Sequence, residues 1–260
     1  MILLTGFEPF GGDSSNPSWA AVLEAQEILR SEGHDVVALE LPCVFGESAA
    51  VLREAVERLR PELVICVGLA GGRDRLSLER VAINCDDARI PDNAGNRPID
   101  EPVVPEGPAA YFSTLPVKSA LRALQIAGIR AEVSQTAGTY VCNHVFYALM
   151  HELAGAVPPR ARGGFIHVPY DEARLPQGSA TPGMATRDMG RGIAVVVRAA
   201  LETPVDTKLS AGRFTRPAPF TWLARANPAP TAPPRSRKPP PIPLRWARLR
   251  SLKHAVYRPS

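Results

Sequence analysis

Leu63-Val64-Ile65-Cys66-Val67 is apolar at every position, and that run restricts the fold more than any other stretch of the chain. A strand with one wet face alternates apolar and polar residues. A strand with no polar position has to be covered on both faces. The flanking segments supply the cover. Ile2-Leu3-Leu4, Val36–Leu41, Ala131–Ser134 and Gly163–Val168 read as further strands, and Leu76–Asn84 alternates with period two. Amphipathic helical patterns lie between them: Trp19–Arg30, opened by the helix-start signal Asn16-Pro17-Ser18, then Glu47–Leu59, Val117–Ala127, Val141–Leu153 and Met184–Leu201. Strands alternating with helices specify an α/β fold, a three-layer α/β/α sandwich around a mostly parallel sheet.

The net charge of +4 averages two unlike regions. Residues 206–260 hold 12 Lys and Arg against one acid, Asp206, together with 11 of the 27 prolines. What remains carries −7. A segment so basic and so rich in proline buries little apolar surface and is expected to stay extended or disordered. The expected organisation is a folded catalytic body over 1–205 and a Pro/Arg-rich tail over 206–260. No apolar run reaches the roughly 20 residues of a membrane span. The opening residues lack a basic leader, so the cytoplasm is the expected location. Four cysteines, Cys43, Cys66, Cys85 and Cys142, form no Cys-x-x-Cys pair and no zinc pattern, so free thiols and no metal or cofactor are expected.

In an open α/β sheet the carboxyl ends of the strands line the binding crevice. Thr5–Gly12, Gly68–Arg73 and His167 follow or end strands, and the turn before Cys142 does too, so these loops are expected to meet at one edge. Cys142 falls in the first turn of a helix, where unpaired N–H groups and the helix dipole favour a thiolate. With His167 at a strand end it suggests a nucleophile and its base. The competing reading is a small core residue and a hydrogen-bonded histidine. Gly11-Gly12 and Gly71-Gly72 fit neither the P-loop nor the dinucleotide-binding spacing. His144 lies about 200° around the helix from Cys142, which makes it structural; His34 and His151 have no chemical context. Glu79 reads either as a surface carboxylate paired with an arginine or as the group that orients His167.

Several blocks, in order, carry a resemblance. Gly68–Asn84 resembles the glutamate signature of pyroglutamyl peptidase I, also called pyrrolidone-carboxylate peptidase, and Ser134–Tyr147 resembles the cysteine signature of that family. Thr5–Gly12 with Asn16–Trp19, Asp87–Asn93 and Phe165–Tyr170 also match, so the likeness covers roughly residues 1–205. It implies an α/β/α cysteine exopeptidase that removes an N-terminal pyroglutamyl residue through a thioester acyl-enzyme, without a cofactor. It carries the roles of nucleophile, base and orienting acid onto Cys142, His167 and Glu79. Arg89 matches an arginine near the reacting carbonyl. Phe7, Phe10, Ile90, Tyr140 and Val141 match the apolar lining of the lactam pocket, and Asn16 a position near the lactam's polar atoms. The substrates implied are peptides with N-terminal pyroglutamate, and family members are often tetramers, so a homo-oligomer is expected.

Leu69 departs from the pattern, standing where the family has glutamine. It leaves open a weak or specificity-shifted enzyme, or a scaffold that only binds. A different reading rests on the tail, whose Trp222, Trp246 and Tyr257 lie among basic residues as in a nucleic-acid or acidic-surface binder.

Overall fold

A computed structural model describes residues 1–155, 161–203 and 206. Along the chain lie β1 (Ile2–Phe7), α1 (Pro17–Ser31), β2 (Val36–Leu41), α2 (Glu47–Leu59), β3 (Leu63–Leu69), β4 (Leu76–Glu79), β5 (Val81–Ile83) and β6 (Ala110–Phe112). Then come α3 (Val117–Ile126), β7 (Ala131–Ser134), α4 (Val141–Gly155), β8 (Arg162–Val168), β9 (Tyr170–Asp171), β10 (Gly183–Met184) and α5 (Thr186–Glu202). Six strands form one sheet in the order β2-β1-β3-β8-β4-β7. The first four in that order are mutually parallel, β4 is antiparallel to β8, and β7 runs parallel to β4.

Period-two alternation sorts the side chains onto two faces. Leu3, Phe7, Val64, Cys66 and Phe165 pack under α2 and α4. Ile2, Leu4, Ile65, Val67, Ile166 and Val168 pack against α1, α3 and α5. Every residue of β3 is buried, as its unbroken apolar run requires. Each such side chain contributes about 1.5–3 kcal/mol by leaving water. Asn16 starts α1: its Oδ1 accepts from the Ser18 backbone N–H at 3.0 Å, with Pro17 at the first helical position.

Two expectations are corrected. Leu76–Asn84 is not one strand, because the chain leaves the main sheet at Arg80. There its N–H donates to the Ser134 carbonyl and its own carbonyl accepts from Ser113, and β5 pairs with β6 instead. The loops do meet, since all of them line one cavity, but the turn before Cys142 reaches it by another route than expected. Residues 70–75 join β3 to β4, too few for the crossover of a dozen or more that a parallel return needs. β4 therefore comes back antiparallel and β7 follows it. Ser134 ends β7 beside Glu79, which lies opposite Phe165 in mid-sheet, so residues 135–140 have to carry the chain onward to α4.

The tail expected over 206–260 lies outside the described residues except for Asp206. The Asp206 carboxylate accepts from the backbone N–H groups of Lys118 and Ser119, at 3.2 Å each, in the first turn of α3. The start of α3 has no capping side chain of its own, so Asp206 supplies one from a distance.

Candidate active site

β3 and β8 end side by side, with Gly68 in register with His167. Neighbours on parallel strands point the same way, so the missing side chain of Gly68 leaves a gap beside the imidazole. Cys142 fills it from above. A Cβ at Gly68 would sit 2.7 Å from Cys142 Sγ and 2.8 Å from Phe165 Cζ, closer than packed atoms come. Glycine is the residue that lets the start of α4 settle onto the strand end.

The antiparallel course of β4 brings Glu79 to the same face, diagonal to His167. Glu79 is fully buried. Its Oε1 accepts from His167 Nδ1 at 2.8 Å and from Arg73 Nη1 at 2.7 Å. With Nδ1 donating to the carboxylate, Nε2 carries the lone pair. Burial would raise the Glu79 carboxyl, but His167, Ser134 and Arg73 stabilise its anion more, and it lies below the usual carboxylate value. Burial holds His167 below the usual imidazole value of 6.5; Glu79 pulls it up and Arg73 pushes it down again. The ring therefore rests neutral at neutral pH.

The thiol does not rest as its helix position suggests. Burial pushes Cys142 up, Cys43 and Glu79 add to the rise, and Arg73 opposes it. A helix terminus is worth about 0.3–1 kcal/mol, less than one pKa unit. Desolvation moves a pKa by as much as about 3–5 units. Burial outweighs the helix terminus, so the thiol lies above its ordinary value while the imidazole lies below its own.

Above these groups opens a cavity of about 420 Å³. Phe7, Phe10, Asn16, Leu69, Arg89, Ile90, Tyr140, Cys142 and His167 all line it. Val141 does not: it is fully buried and packs in the core under α4. Phe10 and Tyr140 form one aromatic wall, their ring centroids 6.1 Å apart, and the Tyr140 hydroxyl donates to the Pro91 carbonyl at 3.0 Å. Asn16 lies at the margin with its polar atoms engaged, Nδ2 donating to the Glu8 carbonyl and Oδ1 accepting from Ser18.

Three residues that shape the site were not singled out by the sequence. Arg73 binds Glu79 and also donates from Nη2 to the Thr136 carbonyl at 3.3 Å, which ties the buried acid to the turn before Cys142. Asn143 clamps α4 to the end of β5, accepting from Ile83 N–H and donating to the Ile83 and Cys85 carbonyls. Cys43 lines the cavity. Their one sequence signal was position: Arg73 lies within the glutamate block and Asn143 follows the cysteine. His144 is structural, as its helix angle indicates. It donates from Nδ1 to Asp86 Oδ2 at 2.7 Å, and its Nε2 accepts from Gly46 N–H.

A thiol, an imidazole and a buried carboxylate at the carboxyl end of an α/β/α sheet have the make-up of a cysteine-type peptidase. Comparison with known proteins narrows that class. The profile of the pyroglutamyl peptidase family matches residues 1–203. The pyrrolidone-carboxylate peptidase of Streptomyces coelicolor is 54% identical over 209 residues, covering 80% of this chain and 95% of that protein. The enzyme of the same name from Escherichia fergusonii is 51% identical over 215 residues, or 81% and 97% of the two chains. The crystal structure of pyroglutamyl peptidase I from Bacillus amyloliquefaciens superposes with a TM-score of 0.74 at 44% identity, covering 79% of this chain and 98% of that one. The chain belongs to the pyroglutamyl peptidase family.

Proposed function

We propose that this protein removes an N-terminal pyroglutamyl residue from peptides, with Cys142 as nucleophile, His167 as general base and acid, and Glu79 as the group that orients the imidazole. The observation that carries this reading is the stacking of Cys142 on Gly68, next to a His167 whose Nδ1 is held by Glu79. His167 Nε2 takes the thiol proton as sulfur attacks the pyroglutamyl carbonyl. The same proton then goes to the departing amine, which leaves a thioester. His167 next activates water, which cleaves the thioester and releases pyroglutamate. Backbone N–H groups at the start of α4 and the Arg89 guanidinium face the developing oxyanion. The apolar walls suit an uncharged lactam and penalise the ammonium of an ordinary N-terminus. Hydrolysis of a pyroglutamyl chromogenic amide, with a prolyl amide refused, is the direct test. The same reading includes a cytoplasmic enzyme that self-associates; among the described residues no helix is long and apolar enough to cross a membrane.

The resting protonation states give a pH prediction. The reaction needs neutral His167, and its folded value lies below 6.5. Activity should therefore hold as pH falls to that value and be lost only beneath it. A kcat/KM profile over this range checks the sign; an acid limb centred above the usual imidazole value would contradict it.

Leu69 lines the cavity at a margin of the lactam site. If a glutamine amide there reaches the lactam, Leu69→Gln raises kcat/KM on pyroglutamyl amides by about fivefold, the worth of one neutral hydrogen bond of about 1 kcal/mol. An unchanged kcat/KM would show that the main chain makes the contact at this position.

A further inference from the structure

Beside the catalytic cavity lies a second, more open one of about 690 Å³. The two share a ridge. Asn16 lines the first and Pro17 the second; Gly71 lines the first and Tyr170 the second. The ridge is built by close packing. A Cβ at Gly71 would lie 2.8 Å from Tyr170 Cε2, so the phenol ring rests directly on that glycine. Ala70 N–H donates to the Val168 carbonyl at 2.9 Å, which fixes the turn against the end of β8. Tyr170 stands three residues beyond His167, the group that protonates the departing amine. The second cavity is therefore the neighbouring hollow, across one ridge from the cavity that His167 lines.

The lining of the second cavity mixes polar and apolar groups and lacks the aromatic wall of the first. It includes Asp13, Asp171, Arg174, Ser179 and Thr181. Asp171 is already engaged: Oδ1 accepts from Ala173 N–H at 3.2 Å and Oδ2 lies 3.6 Å from Arg174 Nε. The exposed Asp13 carboxylate has no hydrogen bond or ion pair to another described residue. With the Asp171–Arg174 pair cancelling, Asp13 leaves the groove with one net negative charge.

We propose that this groove is the subsite for the leaving peptide, and that Asp13 gives it a preference for peptides with a Lys or Arg side chain shortly after the pyroglutamyl residue. The proposal rests on the peptidase reading above. An exposed ion pair is worth at most about 1 kcal/mol, so the preference should be about three- to fivefold and should fade with salt.

The test compares kcat/KM for pyroglutamyl-alanyl-lysine amide and pyroglutamyl-alanyl-glutamate amide at low and high salt, with an uncharged pyroglutamyl chromogenic amide as reference. The lysine peptide should be favoured, Asp13→Asn should bring the ratio near one, and Asp13→Lys should reverse it. Thr181→Trp, which adds bulk to the groove and leaves the Asp13 charge unchanged, should lower kcat/KM for both peptides at least fivefold relative to the reference amide. It serves as the second probe if the Asp13 variants fold poorly. A ratio that Asp13 substitutions do not move, or peptide hydrolysis that Thr181→Trp does not slow, overturns the groove while the reference amide is still cleaved. If wild-type protein leaves the reference amide intact, it is the peptidase reading that fails.

Discussion

Cys142→Ala and His167→Ala are each expected to lower kcat on a pyroglutamyl amide by about 10⁴-fold or more. Residues that act as one catalytic unit lose nearly everything when either is removed. The thiol and imidazole form such a unit here because neither is pre-ionised. Burial keeps the proton on Cys142 and off His167. The sulfur becomes a nucleophile only as the imidazole takes its proton. Cys142→Ser should be almost as inactive, since a hydroxyl gives up its proton far less readily than a thiol. All three variants should melt within a few degrees of the wild type, because each swap leaves the sheet and its core in place. Steady-state kinetics paired with thermal melts checks this; substantial turnover by folded Cys142→Ala would remove the cysteine from the mechanism.

Gly68→Ala should do comparable damage through one methyl group. The added Cβ would meet Cys142 Sγ at 2.7 Å and Phe165 Cζ at 2.8 Å. Phe165 is held between Phe7 and Phe146 and packs at a tilt against His167 with ring centroids 4.9 Å apart, so it has little room to yield. The strain goes to α4 or to the imidazole. Overpacking of this kind costs about 1–3 kcal/mol of stability. A shift of about 1 Å in a reacting group costs about 100-fold in rate. The expected result is a folded, somewhat less stable protein with kcat/KM reduced at least 100-fold. Activity close to wild type would show that α4 does not press the thiol onto β3 as described.

The frame of the molecule was legible because buried strands and amphipathic helices differ in period. Val36–Leu41 and Glu47–Leu59 coincide with their elements, and β3 declared itself by its apolar run. Cys142 and His167 stood out by their places at element ends, whereas Glu79 stood out only through the block that resembles the family's glutamate signature. The direction of β4 was harder to read. Leu76–Glu79 has the same alternation whichever way it runs, and its course is decided by the short connection from β3. Arg73 was hidden for a related reason. Arg73, Arg75 and Arg80 look alike along the chain, and only the folded turn shows that Arg73 shares Glu79 Oε1 with His167 while Arg75 pairs with Asp74. Val141 was misplaced because adjacent residues at a helix start face different ways, which puts Cys142 over the strand and Val141 into the core. The thiol's resting state was misjudged because sequence shows the helix terminus and not the burial around it.

In the proposed mechanism Cys142 attacks a pyroglutamyl carbonyl. Labelling with a pyroglutamyl chloromethyl ketone, followed by mass spectrometry of the digested protein, tests it most directly. One label per chain is expected, on Cys142, with Cys43, Cys66 and Cys85 unmodified, and no labelling at equal concentration by an acetyl-prolyl chloromethyl ketone. A label on any other residue, or equal labelling by the two reagents, would contradict it.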